Sequence, residues 1–173
     1  MAELQRWIQR IFDFSLPVDL FPALLERVSG TPARLEEKVR GVPDELLAQG
    51  IDGGWSLKVH AGHLAILDVL HISRLDDFLS DGDTLRPADM SNAATNAADY
   101  NSMNIGEILG EFRKRRQTFV ERVSQFSDEQ LEIAKLHPRL SVKMRVIDNV
   151  AFCAEHDDHH LALMTEIRRK LGA

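Results

Sequence analysis

Apolar residues recur at helical spacing along most of the chain, and the breaks in that spacing fall at proline, glycine and asparagine. Ala2 to Phe12 forms a short amphipathic stretch in which Trp7, Ile8, Ile11 and Phe12 cluster before Ser15-Leu16-Pro17 interrupts it. It reads as an N-terminal arm, residues 1–16, packed on the body. From Asp19 to Val39 the positions Leu20, Leu24, Leu25, Val28, Leu35 and Val39 describe a first helix, kinked or split at Gly30-Thr31-Pro32. Gly41 to Gly54, with Pro43 and the Gly53-Gly54 pair, is a connection holding at most a short helical turn, after which Ser56 is placed as an N-cap.

A second helix is predicted from Leu57 to Leu79, its apolar face running through His60, His63, Leu64, Leu67, His71, Leu75 and Phe78 in steps of three and four. Ser80 to Asn101 has no sustained period and holds Asp81-Gly82-Asp83, Pro87 and several asparagines, the marks of a long crossover; long ordered connections are often functional. The third helix, Ile105 to Phe126, turns Ile108, Leu109, Phe112, Phe119 and Val123 inward and leaves Arg113, Lys114, Arg115 and Arg116 as a solvated face. Ser127 to Gln130 is a cap and first turn of a short segment before His137-Pro138-Arg139. The last helix, Val142 to Leu171, buries Val146, Asn149 or Val150, Cys153, His156, His160, Leu163 and Ile167. With no convincing strand, repeat or low-complexity tract, the expected fold is all-α: a four-helix bundle in one domain, residues 1–173, with a long crossover between its second and third helices.

Composition removes several function classes. A chain of 173 residues with 44% hydrophobic content can bury one sizeable core. A net charge of -6 with both signs interspersed offers no basic stripe for nucleic acid and no polybasic patch for a membrane. No apolar run approaches a bilayer span, the first residues lack a signal-peptide core, and the lone Cys153 cannot form an intramolecular disulfide. The expectation is a cytoplasmic protein.

The chemistry concentrates in Glu155-His156-Asp157-Asp158-His159-His160. His156 and His160 stand four residues apart, one above the other on a helix face, and can grip a single metal ion. Two such imidazoles on a buried stripe depress each other's protonation and need separate partners unless a shared ion satisfies both. A third ligand has to come from elsewhere, and the second helix offers His60 and His63, both on its core face; spacing does not choose between them. A lone histidine on an apolar face is ordinarily a hydrogen-bonded core residue, which is how His71 and His137 read. The His-Glu-x-x-His protease pattern is absent, since Asp157 with its shorter reach follows His156. A di-iron bundle would need Glu-x-x-His twice, which neither histidine pair provides. Cys153, one turn before His156, reads as a small buried hydrophobe. Three neutral imidazoles leave open positions on a divalent ion, zinc or nickel foremost, with iron or copper also suited.

Trp55-Ser56, His63-Leu64 eight residues after the tryptophan, and His156-x-x-x-His160 together resemble the DinB/YfiT-like superfamily of metal-dependent proteins. The resemblance covers Leu20 to Leu171 and places the metal triad on His63, His156 and His160. It implies an up-down-down-up bundle whose long connection joins the second and third helices. It also implies thiol transferase or hydrolase chemistry, in which the ion activates a low-molecular-weight thiol or a water, and a possible homodimer. Glu155, Asp157 and Asp158 are candidates to orient the imidazoles, although acids in such a run commonly face solvent. This chain departs from many relatives at Leu163, where they carry glutamine, and at His159, which lines the pocket rim or faces solvent. The alternative is a metal-binding or stress-associated interaction protein without turnover, its ion closed off and structural.

Overall fold

A computed structural model describes residues 4–173; the first residues of the expected arm, 1–3, lie outside the described residues. Pro32 removes a backbone donor just after Gly30, and the first helix divides there into α1 (Phe21–Ser29) and α2 (Thr31–Val39). The short turn in the next connection is α3 (Asp44–Leu47). α4 spans Leu57–Leu79 and starts where expected, with Ser56 Oγ accepting a hydrogen bond from the Val59 N–H at 3.2 Å. The crossover holds a short helix, α5 (Ala93–Ala97), before α6 (Ile105–Val123), which the Asn104 side chain caps. A Ser127/Gln130 capping box begins α7 (Asp128–Leu131), and α8 runs from Val146 to Leu171, ending at Gly172 with φ of 70°.

Two strands correct the expectation of a purely helical chain. β1 (Ala134–His137) and β2 (Val142–Arg145) form an antiparallel hairpin with Ala134 opposite Arg145 and His137 opposite Val142. The last helix therefore begins at Val146 rather than Val142. Pro138 and the left-handed Ser141 (φ 55°) bend the chain between the strands, and segments of four residues are too short to display an alternating pattern. The hairpin also fastens the crossover: the Leu85 N–H donates to the Leu136 carbonyl and the Leu136 N–H to the Asp83 carbonyl.

Hydrogen-bonded pairs set the helix directions. Ala65 with Arg115, Asp68 with Arg116 and Asp76 with Arg122 advance in the same sense, so α4 and α6 run parallel, as a long crossover permits. Arg27 with Glu155, Arg34 with Asp158 and Lys38 with Thr165 advance together as well, so α1 and α2 run with α8. Glu36 with Arg113 and the Val28 carbonyl with Arg116 run in opposite senses, which sets α1 and α2 against α6. The order is up-down-down-up. The arm lies over α8, with Trp7 and Phe12 packed on Phe152 and the Arg145 guanidinium donating to the Phe14 and Leu16 carbonyls.

The core has two apolar clusters, one around Val28, Leu75, Phe78, Phe119 and Val150, the other around Leu35, Leu57, Leu64, Ile108 and Met164. Each long helix passes from one cluster to the other through a polar layer of Thr31, His63, Asp68, Arg116, His156, Asp157 and His160. Arg116 corrects the reading of a solvated basic face: it is 1% exposed. Its guanidinium donates to Asp68 at 2.8 and 2.9 Å, to both oxygens of Asp157, and to the Val28 carbonyl at 2.9 Å. Position 116 lies on the inward stripe Ile108, Phe112, Phe119, Val123, so packing geometry overrides the preference of arginine for water. Leu163 is half-buried, and Leu161 and Met164 fill the core in its place.

Arg116→Met leaves Asp68 and Asp157 buried without their cation and should cost about 3–5 kcal/mol in urea unfolding. Arg113→Ala, which breaks an exposed pair with Glu36, should cost about 0–1 kcal/mol in the same measurement.

Candidate metal centre

α4 presents His63 and α8 presents His156 and His160, all within the polar layer. One ligating nitrogen from each lies within 4.8 Å of the others. His156 Nε2 and His160 Nε2 are 3.2 Å apart, while His63 Nδ1 sits 3.0 Å from Thr95 Oγ1, which leaves His63 Nε2 for the centre. The structure thereby separates the two candidates on α4. His60 stands outside the cluster, its Nδ1 2.8 Å from His160 Nδ1.

The acids of the histidine run fix the rotation of α8. Asp157, one residue after His156 and so about 100° round the helix, is buried against Arg116 and Thr31 Oγ1, the latter at 2.7 Å. Glu155 pairs with Arg10 and Arg27, and Asp158 with Arg27 and Arg34. Glu155 and Asp158 share one side of the helix through Arg27 and Asp157 holds another, and the side between Glu155 and Asp157 carries His156 and His160 towards α4. Of the two readings for these acids, neither holds throughout: their side chains bind arginines and Thr31 rather than the imidazoles, and Asp157 is buried rather than solvent-facing. Thr95 on the crossover orients His63, and His60 orients His160.

Burial keeps the site imidazoles neutral. Desolvation lowers His63 to about 4 and His60, with help from His63 and His159, to about 3. His156 and His160 fall well below the ordinary histidine value, desolvation being the main cause and neighbouring histidines the next. At neutral pH the cluster is a set of uncharged nitrogen donors with no proton to displace, the donor set that zinc or nickel accepts. Cys153 is buried, and desolvation holds its thiol well above the usual range, in keeping with a core residue. His71 is 2% exposed and faces Phe119, while His137 Nδ1 accepts the Leu140 N–H at 3.2 Å. Neither joins the cluster.

The cluster opens onto a cavity of about 850 Å³ lined by residues of α4, α8, the crossover, the hairpin turn and the arm. Trp55 covers His63 with ring centroids 4.8 Å apart, and its Nε1 donates to Asn96 Oδ1. Trp7 meets His156 edge-on at 4.9 Å. His159 lines the same cavity and is 8% exposed, which places it in the wall rather than in solvent. Gly62, beside His63, lets the Tyr100 ring rest on the helix backbone; a Cβ there would lie 2.3 Å from Tyr100 Cζ. Sequence reasoning missed Thr95 and Trp7. The aperiodic crossover hinted at a functional segment but marked no residue in it, and nothing in the arm distinguished a site tryptophan from a packing one. Among the described residues no helix is long and apolar enough to cross a membrane.

Comparison with known proteins agrees with this architecture. The family model described as the DinB superfamily matches residues 27–164. The Bacillus subtilis protein YfiT, described as "a probable metal-dependent hydrolase with an unusual four-helix bundle topology", superposes with a TM-score of 0.83 at 21% identity, over 94% of each chain. A DinB-like protein from Bacillus cereus gives a TM-score of 0.63 at 20% identity, over 87% of this chain and 92% of that one. No curated protein matches the chain by sequence.

Elemental analysis of the purified, untagged protein should give one divalent ion per chain, lost in His63→Ala, His156→Ala and His160→Ala and retained in His71→Ala. Thr95→Ala should keep the ion but weaken it by about tenfold or more, read by chelator competition. Burial, with the nearby Arg74 charge adding, lowers His71 to about 3 and His137 to about 4 from the ordinary 6.5. Below pH 6.5 the unfolded chain therefore binds protons that the folded chain refuses. Stability present above that pH should fall as acid is added towards pH 4, and His137→Gln should lose less of it over the interval, as followed by the melting temperature of the metal-free protein.

Proposed function

The chain belongs to the DinB superfamily, and from that premise we propose that it is a metalloenzyme in which His63, His156 and His160 hold one divalent ion, zinc or nickel, and activate a small thiol or a water. The observation that carries this reading is the convergence of three neutral, desolvated imidazoles at the inner end of an open cavity. A closed structural site would have its ligand shell completed by protein, whereas here one side of the cluster faces space large enough for a substrate. YfiT's description as a probable metal-dependent hydrolase supports the water branch; the thiol transferases of the resembled superfamily support the thiol branch.

Held by His63, His156 and His160, a divalent ion would lower the pKa of a bound thiol or water and so would supply the nucleophile at neutral pH. The protein's own residues do the rest. Thr95 and His60 hold the rings of His63 and His160 in one orientation. Trp7 and Trp55 wall the cluster against bulk water. Burial lowers His159 below the ordinary histidine value, Arg10 adding to the effect, so its imidazole is neutral and able to take the proton released from the thiol or water. In transfer the thiol sulfur bonds to the electrophilic carbon as the bond from that carbon to the leaving group breaks, the electron pair departing with the leaving group; in hydrolysis the water oxygen bonds to the acyl carbon, the bond from that carbon to the leaving group breaks with its electron pair on the leaving group, and the proton taken by His159 is returned to it.

Zinc- and nickel-loaded protein should be assayed with cysteine plus chlorodinitrobenzene and, in parallel, with p-nitrophenyl acetate. Metal-dependent turnover of one of these, lost in His160→Ala and reduced by about 10²-fold in His159→Gln with the metal retained, is the expected outcome. A full metal complement without turnover of either, together with unfolding on chelation, would make the ion structural and overturn the proposal.

A further inference from the structure

The cavity has a second end. α4 carries Arg74 eleven residues beyond His63, a rise of about 16 Å, and the stripe His63, Leu67, Leu70, Arg74 descends one face of the helix. α8 runs the opposite way, so Phe152 lies beside this far end together with His137 and Arg139 of the hairpin turn. Arg74 is 1% exposed, yet among the described residues its guanidinium donates only to the Arg86 carbonyl, through Nε at 3.2 Å and Nη2 at 3.1 Å. Arg139 is half-buried over the Phe152 ring at 6.0 Å and makes no hydrogen bond or ion pair among the described residues.

Charge accounting singles out these two. Four arginines line the cavity: Arg74, Arg86, Arg115 and Arg139. Arg86 is neutralised by Asp77 at 2.6 Å, and Arg115 by Glu111 at 2.7 Å. Asp89, the one acid in the lining among the described residues, spends its carboxylate on Ser91 and the Ala93 N–H. Among the described residues Arg74 and Arg139 make no ion pair, Asp77 acting on Arg74 only at a distance and being already engaged by Arg86. Burial lowers Arg74 to about 10, Asp77 opposing and Arg139 and Arg86 adding to the fall, so it remains charged at neutral pH. A buried guanidinium whose acceptor is one neutral carbonyl is costly, and a planar fork of donors beside a second cation matches a carboxylate or phosphate.

We infer that Arg74 and Arg139 form an anion-binding subsite and that the substrate is an elongated molecule, reacting at the histidine end and carrying a carboxylate or phosphate at the other. This rests on the reading of the histidine end given above. Leu67, Leu70 and Phe152 line the cavity between the two ends, which fits a slender apolar middle.

The test uses metal-free protein, so that no ion can capture the anion. Titration calorimetry should show octanoate or octyl phosphate binding at least roughly tenfold more tightly than octanol, the range for a charge-assisted hydrogen bond. The preference should vanish in Arg139→Gln, whose side chain supports no other contact but the Phe152 ring, and persist in His160→Ala. Arg74→Lys, which keeps the charge but not the fork, should retain part of it. Equal affinity for the anions and octanol, or an unchanged preference in Arg139→Gln, would overturn the subsite. Failure of the metal or turnover measurements would overturn the reading of the reacting end and leave this preference intact, so the two failures are separable.

Discussion

The Arg116 guanidinium binds Asp68 of α4, Asp157 of α8 and the Val28 carbonyl of α1 at a single depth in the bundle, while its own backbone belongs to α6. Every long helix is thereby referred to one planar group. Burial holds Asp68 up at about 6 even beside this cation, which shows how strongly the surroundings resist charge. Such a cluster adds little to net stability compared with an apolar core, but it penalises any other rotation or register of the helices that contribute to it. Asp157 is the link to the candidate metal centre. Its attachment to Arg116 fixes which side of α8 faces α4, and the histidines on either side of it in sequence follow.

The polar layer explains why the imidazoles can converge without charging and repelling one another. Apolar clusters above and below exclude water, so desolvation holds each ring in its neutral form. His160 takes a hydrogen bond relationship with His60 and His63 with Thr95, both through Nδ1, so the Nε2 atoms are directed inward by geometry alone. A centre made this way depends on the packing of the whole bundle and would not survive as an excised helix pair.

Much of this was legible in the chain. The period of α4 gave its limits, Pro32 after Gly30 gave the break between α1 and α2, and the four-residue spacing of His156 and His160 gave half of the cluster. What escaped were features decided by partners far away in sequence. Arg116 looks like its exposed neighbour Arg113 until the inward stripe of α6 is followed strictly and the acids at positions 68 and 157 are known to face it. The hairpin is too short for a period, and its pairing is stabilised by the crossover as much as by its own strands. Thr95 and Trp7 reach the histidines from segments without periodicity, and local pattern carries no information about where such segments land.

The crossover supplies Thr95, the Arg86 carbonyl and a wall of the cavity, yet the bundle's apolar clusters draw on it for little beyond Leu85. Apart from Thr95, reactivity and selectivity are consequently inherited from different stretches of the chain. Mutations between positions 86 and 94 can remodel what enters the cavity while Thr95 and the helices that carry the histidines stay as they are, so descendants of this protein can change diet without relearning how to fold.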